Sequence, residues 1–318
     1  MKSNLPPDSL ETPRFCGIPT FMRLNQTREV DHVDVAILGI PSDSGSGYRT
    51  GARFGPNAIR QMSVMLRPIN PYQGNINIFE LCKIVDFGDV NVVPGYVEET
   101  FERITSAMDI LVERGITPVG LGGDHLVTLP ELRSVVKRHG KVALLHFDSH
   151  TDTWDSYFAG KRYSSGTPFK RAVEEELLLA DVSVQVGLRG SLFTPNDIKN
   201  AMDLGFGVVT TDEMFRMGIP SVIEKIHKKM AGKKVFITFD MDFVDPASAP
   251  GIQFPEAGGP NGREVLELIR GLREIQIVGC DVVETNPLYD NPSQVTSLLA
   301  ATIASEFLAL IARRFVKR

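Results

Sequence analysis

The chain has 318 residues, of which 42% are hydrophobic and 23% charged, with 28 Gly, 20 Pro and a formal net charge of -5. That length supplies ample apolar material for the core of one large α/β domain. The acidic balance offers no whole-molecule attraction to nucleic acid or anionic lipid, which leaves a small molecule as the expected partner.

No apolar run approaches the roughly 20 residues that cross a bilayer, and residues 1–21 lack the basic and apolar stretches of a secretion signal. The expectation is a cytoplasmic protein with neither nucleic acid nor membrane as partner. Residues 1–30 read as an N-terminal extension and 31–318 as one domain, without repeats, low-complexity tracts or an internal linker. Taken in order, the pattern predicts a strand over Val33–Ile40, helices over Pro56–Leu66 and Glu98–Arg114, a strand over Thr117–Gly122 and a helix over Thr128–His139. Strands over Lys141–Phe147 and Val182–Leu188, a helix over Pro195–Leu204 and a strand over Gly207–Thr211 follow. The last third gives a helix over Ser221–Met230, a strand over Lys234–Phe239, a helix over Gly262–Leu272, a strand over Ile275–Val283 and a helix over Pro292–Ala312. Short, continuous apolar runs indicate strands covered on both faces. Their alternation with helices indicates right-handed βαβ units, hence a three-layer α/β/α sandwich with a mostly parallel central sheet. Cys16, Cys82 and Cys280 are widely spaced and odd in number, which argues against a disulfide framework.

Unusual acidic and imidazole residues collect just beyond the carboxyl ends of these strands. His125 follows Gly122-Gly123-Asp124; Asp148, His150 and Asp152 follow Phe147; Asp240 and Asp242 follow Phe239; Glu284 follows Val283. Open parallel sheets bind ligands along that edge, so residues distant in sequence can share one site. Crowded carboxylates repel and perturb one another unless cations neutralise them. The alternation Asp-x-His-x-Asp and Asp-x-Asp projects ligands to one side of an extended segment. Two histidines and four aspartates serve two divalent cations if Asp148 and Asp240 each bridge both, and such a pair acidifies a shared water. His32, His139, His146 and His227 carry no recognisable spacing and read as surface or core residues.

These residues resemble the ureohydrolase family, which includes arginase, agmatinase, guanidinobutyrase, guanidinopropionase and proclavaminate amidinohydrolase. Four motifs match in order: Pro41-Ser42-Asp43 with Gly51-Ala52-Arg53-Phe54-Gly55-Pro56, then Gly122 to His125, then Asp148-Ser149-His150-Thr151-Asp152, then Phe239-Asp240-Met241-Asp242 through Pro246. The resemblance implies an arginase/deacetylase-like fold and a binuclear centre of Mn2+ or Ni2+. It implies that His125, Asp148, Asp152 and Asp240 hold one ion, and Asp148, His150, Asp240 and Asp242 the other. It further implies attack of hydroxide on a guanidinium carbon to give urea and an amine, with Asp242 moving the proton and Glu284 binding the guanidinium. Assembly as a homo-trimer or hexamer, or a mixed assembly with a related chain, is expected from the same resemblance. The single-zinc deacetylases of related fold lack a second ligand set like His150 and Asp242.

Three departures bear on the substrate. Ser165 stands where the family commonly has a proton-shuttling His, and serine cannot carry charge across neutral pH. Ile252-Gln253-Phe254 replaces the small residues of the loop after the last metal motif, and Trp154 stands where Tyr or Asn is usual. Trp154 and Phe254 are expected to form an aromatic wall favouring an N-alkylated guanidine or a biguanide such as metformin over agmatine. The competing reading is a weakly active or non-catalytic subunit paired with a catalytic relative.

Overall fold

A computed structural model describes residues 5–316. The central sheet contains eight strands: β1 (Val35–Gly39), β4 (Ile84–Asp89), β5 (Thr117–Leu121), β6 (Ala143–Phe147), β7 (Val184–Leu188), β8 (Gly207–Thr210), β9 (Lys234–Asp240) and β10 (Gln276–Val283). A small antiparallel pair, β2 (Ile69–Asn70) and β3 (Ile76–Asn77), lies apart. The strand order is β4-β1-β5-β10-β9-β6-β7-β8, and every pairing in the large sheet is parallel.

Side-chain alternation along β1 shows why both faces need cover. Val35 and Ile37 enter one apolar cluster, while Ala36 and Leu38 enter the other. The first cluster is closed by α1 (Gly55–Ser63), α8 (Ile219–Met230), α9 (Gly262–Arg270) and α10 (Val295–Ala312), through Ile59, Val222, Leu268 and Phe307 among others. The second is closed by α3 (Val97–Val112), α4 (Thr128–His139) and α5 (Pro168–Glu174), through Ile104, Leu132 and Phe169. Each large apolar side chain so enclosed stabilises the fold by about 1.5–3 kcal/mol. The remaining helices, α2 (Ile78–Leu81), α6 (Asp197–Asp203) and α7 (Thr211–Met217), are short. From the segment before residue 31, Phe21, Met22 and Leu24 join the first cluster.

The expected sandwich is therefore present, and α4 spans the residues read from the sequence. The edge strand β4 escaped that reading, as did the short helices α5 and α7. β4 carries Asp86 in its middle, which interrupts the apolar run Ile84-Val85 with a charge. The charge is tolerated because Arg60 of α1 grips Asp86 with two bonds of 2.8 and 2.9 Å, and the backbone N–H of Phe21 donates to it at 2.8 Å. Buried pairing of this kind hides a strand from hydropathy. Helix α10 begins at Val295 rather than Pro292 because the Asp290 carboxylate accepts from the Thr296 and Ser297 N–H groups at 3.1 and 2.9 Å, capping the first turn there. Together with the turn that follows it, α10 is long and apolar enough to cross a membrane by length and composition, but 72% of its most apolar window is buried against the sheet and its neighbours.

Candidate metal centre and substrate cavity

The four strands β5, β10, β9 and β6 are consecutive across the middle of the sheet, so their carboxyl ends converge. The loop after β5 is pinned by close backbone approach. A Cβ on Gly123 would lie 1.7 Å from the Ser42 carbonyl oxygen, so only glycine lets this loop lie against the one after β1. The Asp124 N–H then donates to Ser42 at 2.8 Å, and the Glu284 N–H donates to the Gly123 carbonyl at 2.8 Å. This fixes His125 and Glu284 side by side.

His125 is fully buried, and its Nδ1 lies 3.0 Å from Asp148 Oδ2, 2.9 Å from Asp152 Oδ2 and 3.1 Å from Asp240 Oδ2. That nitrogen makes no well-directed hydrogen bond to any of them. On the other side of the cluster, His150 Nδ1 is 2.9 Å from Asp242 Oδ2 and 3.4 Å from Asp148 Oδ1. A nitrogen facing three carboxylate oxygens without a directed bond is a donor set that fits a cation. His125, His146, Asp148 and Asp152 can offer one ligand atom each within 4.8 Å of one another, as can Asp148, His150 and Asp242, while Asp240 joins them through its 3.1 Å approach to His125 Nδ1. Nitrogen and carboxylate oxygen donors in this number fit divalent transition metals.

The backbone holds these groups differently from the simple alternation expected. Asp240 ends β9, but Met241–Phe243 forms a 3-10 turn, and the Asp240 carboxylate accepts from the Asp242 N–H at 2.7 Å. Asp242 is aimed by this turn and by Ser149, whose N–H and hydroxyl donate to its Oδ1 at 2.9 and 2.7 Å. Asp152 and Glu284 sit on left-handed backbone, with φ of 50° and 61°. Non-glycine residues held there are uncommon, and they concentrate at functional sites.

His146 belongs to the site, although its spacing gave no sign of it. Its Nε2 lies 2.7 Å from Asp148 Oδ2 and its Nδ1 lies 2.9 Å from the Gln185 amide. The amide donates to Nδ1, which leaves Nε2–H to donate to Asp148, and burial lowers the ring's pKa toward this neutral form. Both nitrogens are thus committed, and His146 orients Asp148. The signal was its place two residues before Asp148 on one strand face. Replacing His146 by Phe is expected to weaken divalent metal binding by about 10–100-fold, measured by competition with a chelating dye. Unchanged affinity would remove His146 from the centre.

The electrostatics follow from crowding. Burial, then Asp148, pushes the Asp152 carboxyl up to about 7. Burial, then Asp242 and Asp148, pushes Asp240 well above the carboxylate range. Burial opposes protonation of His125 and His150, but the carboxylates around them raise both well above 6.5. Groups whose pKa is raised on folding contribute stability that is present below their unfolded values and lost as pH rises through the folded ones. For Asp152 that window lies between about 4 and 7. The metal-free protein is accordingly expected to melt at lower temperature at pH 8 than at pH 6, and added divalent metal is expected to close most of that gap. Calorimetric melting at the two pH values checks this; a metal-free Tm that rises toward pH 8 would contradict it.

Beside this cluster opens a cavity of about 180 Å3 lined by His150, Asp152, Trp154, Tyr157, Phe158, Ser165, Phe193, Phe254 and Glu256, with small residues between them. Trp154 and Phe254 both lie near His150, with ring centroids 6.5 and 6.2 Å from the imidazole. Tyr157 and Phe193 pack on Trp154 at 5.0 and 5.3 Å. These two, with Phe158, extend the wall beyond what the sequence suggested. Among the described residues no Lys or Arg lines the cavity, and its one carboxylate besides Asp152 is Glu256, whose Oε1 lies 3.9 Å from His150 Nε2. Ser165 faces the cavity with its Oγ accepting from the Gln253 amide at 3.3 Å. Glu284 is joined to Ser165 through the Gln253 amide, which donates to its Oε1 at 3.2 Å; that oxygen also accepts from the His125 N–H at 2.9 Å, and Oε2 is buried without a partner.

A parallel sheet whose central strand ends gather histidines and aspartates beside a small cavity is an arrangement suited to metal-dependent hydrolysis. Residues 33–310 match the model of the Arginase family, and the chain belongs to that family. It is 41% identical to the guanidinobutyrase of Pseudomonas aeruginosa, over 95% of this chain and 94% of that one, and 40% identical to the mitochondrial agmatinase of Gallus gallus, over 97% and 90%. The solved proclavaminate amidino hydrolase from Streptomyces clavuligerus superposes with a TM-score of 0.91 at 38% identity, over 95% of this chain and 99% of that chain. Members of this family use a binuclear divalent metal centre, and the buried donor set described above fits one.

Proposed function

We propose that this chain hydrolyses a compact cationic guanidino compound, an N-alkylated guanidine or a biguanide such as metformin, in preference to agmatine or a guanidino acid. Water adds across the C–N bond, giving an amine and urea, or guanylurea from a biguanide. The observation that supports this most is the cavity lining: aromatic rings and Glu256, with no Lys or Arg among the described residues. A carboxylate tail entering it would lose hydration without gaining a cationic partner. A cation over these rings gains about 0.5–2 kcal/mol.

His125, Asp148, Asp152 and Asp240 would hold one ion, and Asp148, His150, Asp240 and Asp242 the other, as Mn2+ or Ni2+. When bound, the pair supplies a water acidic enough to react near neutral pH. The chain's own groups do the rest. Glu284 receives the guanidinium through the unpartnered Oε2, while Trp154 and Phe254 flank its alkyl substituents and exclude water. Asp242, fixed by Ser149, takes up a proton at Oδ2 and returns it to the leaving nitrogen. Ser165 Oγ can donate a hydrogen bond to that nitrogen but cannot itself hold the proton as an imidazole would, which favours substrates whose leaving group needs little assistance. A cytoplasmic homo-trimer or hexamer, or a mixed assembly with a related chain, completes the reading and rests on family resemblance.

The test is turnover by protein reconstituted separately with manganese and nickel, across agmatine, guanidinobutyrate, guanidinopropionate, guanidine and metformin. Preference for guanidine or metformin is expected. Clear preference for agmatine or either acid overturns the substrate assignment. Bound metal without release of urea or guanylurea from any of them would instead support the partner-subunit reading, which the serine at position 165 favours.

A further inference from the structure

The edge of the sheet away from the metal centre carries a second cavity, of about 510 Å3. It opens at the amino ends of the strands whose carboxyl ends lead to His125, Asp240 and Glu284: Thr117 begins β5, Lys234 begins β9 and Gln276 begins β10. Arg138 and His139 at the end of α4, and Arg314 just past α10, complete its wall beside the buried side chains of Ile116 and Val278. Among the described residues no carboxylate lines it.

The cations of this wall lack the partners that their neighbours find. Lys137, next to Arg138 in the chain, pairs with Asp109 at 2.6 Å. Arg138 instead donates to the Glu113 carbonyl at 2.9 Å and Lys234 to the His139 carbonyl at 3.4 Å. Arg314 donates to the Ile277 carbonyl at 2.7 Å and to Thr117 Oγ1 at 3.2 Å. All of these acceptors are neutral, although acidic side chains outnumber basic ones in this chain by 39 to 34. His139 registers the resulting field: burial, then the charges of Lys234, Arg138 and Arg314, lowers its pKa.

The helix ends offset only part of that charge. The C-termini of α4 and α10 each present about half a negative charge, which leaves roughly two of the three fixed positive charges uncompensated. A phosphate monoester carries about −1.5 to −2 near neutral pH and matches that remainder, and arginine receives its oxygens in pairs. A single carboxylate would neutralise half of it. The cavity is larger than one phosphoryl group, so the body of the molecule has room against Ile116 and Val278.

We propose that this cavity is a binding site for a phosphate monoester, held by Arg138, Lys234 and Arg314 at the sheet edge opposite the metal centre. It does not depend on which guanidino compound the centre hydrolyses.

The test is calorimetric titration of the metal-loaded full chain with phenyl phosphate and with inorganic phosphate at constant ionic strength. One phenyl phosphate per chain is expected, with a Kd of about 1 mM or tighter and no weaker than that of inorganic phosphate. Lys234 and Arg138 are exposed, so Lys234→Gln and Arg138→Gln are expected to keep the fold, which an unchanged Tm checks. Each should weaken binding by about fivefold, and the two together by about twentyfold. An anion held at the metal centre would not respond to either substitution. Absence of phenyl phosphate binding up to about 10 mM overturns the proposal. So does an affinity unmoved in the double variant, or displacement by acetate as effective as displacement by inorganic phosphate.

Discussion

Asp148→Asn is expected to abolish high-affinity metal binding at both positions and to lower guanidino hydrolysis by about a thousandfold or more. Asp148 is fully buried, its Oδ2 lies 3.0 Å from His125 Nδ1, and its Oδ1 lies on the side of His150 and accepts that residue's N–H at 2.6 Å. It is the carboxylate common to both clusters of potential ligands. An amide there keeps the shape but loses the charge that two cations share and presents hydrogens to one of them. Metal activation contributes several kcal/mol, and each 1.36 kcal/mol is tenfold in rate. Metal content by elemental analysis and steady-state hydrolysis check the expectation together. A variant that retained two ions and full activity would remove Asp148 from the bridging role.

Glu284→Gln should separate from that behaviour. The carboxylate faces the His125 backbone N–H and the Gln253 amide rather than the imidazole nitrogens of the cluster, so metal content is expected to stay at the level of the unaltered protein. Its unpartnered Oε2 is the acceptor for the guanidinium, and the lost bond involves charge on both sides. Such bonds are worth about 1.5–3 kcal/mol, so KM should rise by about 10–100-fold. Burial, then Asp240 and Asp124, holds the Glu284 pKa well above the ordinary carboxylate range in the metal-free protein. Cations at the neighbouring aspartates would reverse part of that effect and keep Glu284 ionised for the substrate. A rise in KM with metal intact supports the assignment; loss of metal with KM unchanged would recast Glu284 as a ligand.

Much of this was legible in the sequence because continuous apolar runs mark parallel strands and aspartates at their ends mark the reacting edge. The seven polar residues singled out from that pattern do lie together, at the ends of four adjacent strands. In two places what hydropathy concealed was a buried polar partnership. β4 was hidden by the Asp86–Arg60 pair, and His146 by a commitment to Asp148 and Gln185 that no spacing displays. The geometry of the centre also differs from an extended ladder. Asp242 is aimed by a 3-10 turn and Asp152 by left-handed backbone, local conformations that depend on tertiary contacts. The aromatic wall was half visible: Trp154 and Phe254 stand out by their positions in the motifs. Tyr157, Phe158 and Phe193 reach the cavity only because the loop after β6 folds back beside the one after β7.

The central claim is that His125, Asp148, His150, Asp152, Asp240 and Asp242 form one cage for a pair of cations. Its most direct test is titration of the metal-free protein with Mn2+ or Ni2+, followed by elemental analysis after exhaustive desalting. Two ions per chain, falling to one or none when Asp148 is replaced, is the predicted result. A stoichiometry below one in the unaltered chain with either metal, at pH 8 where the carboxylates are free to ionise, would contradict it.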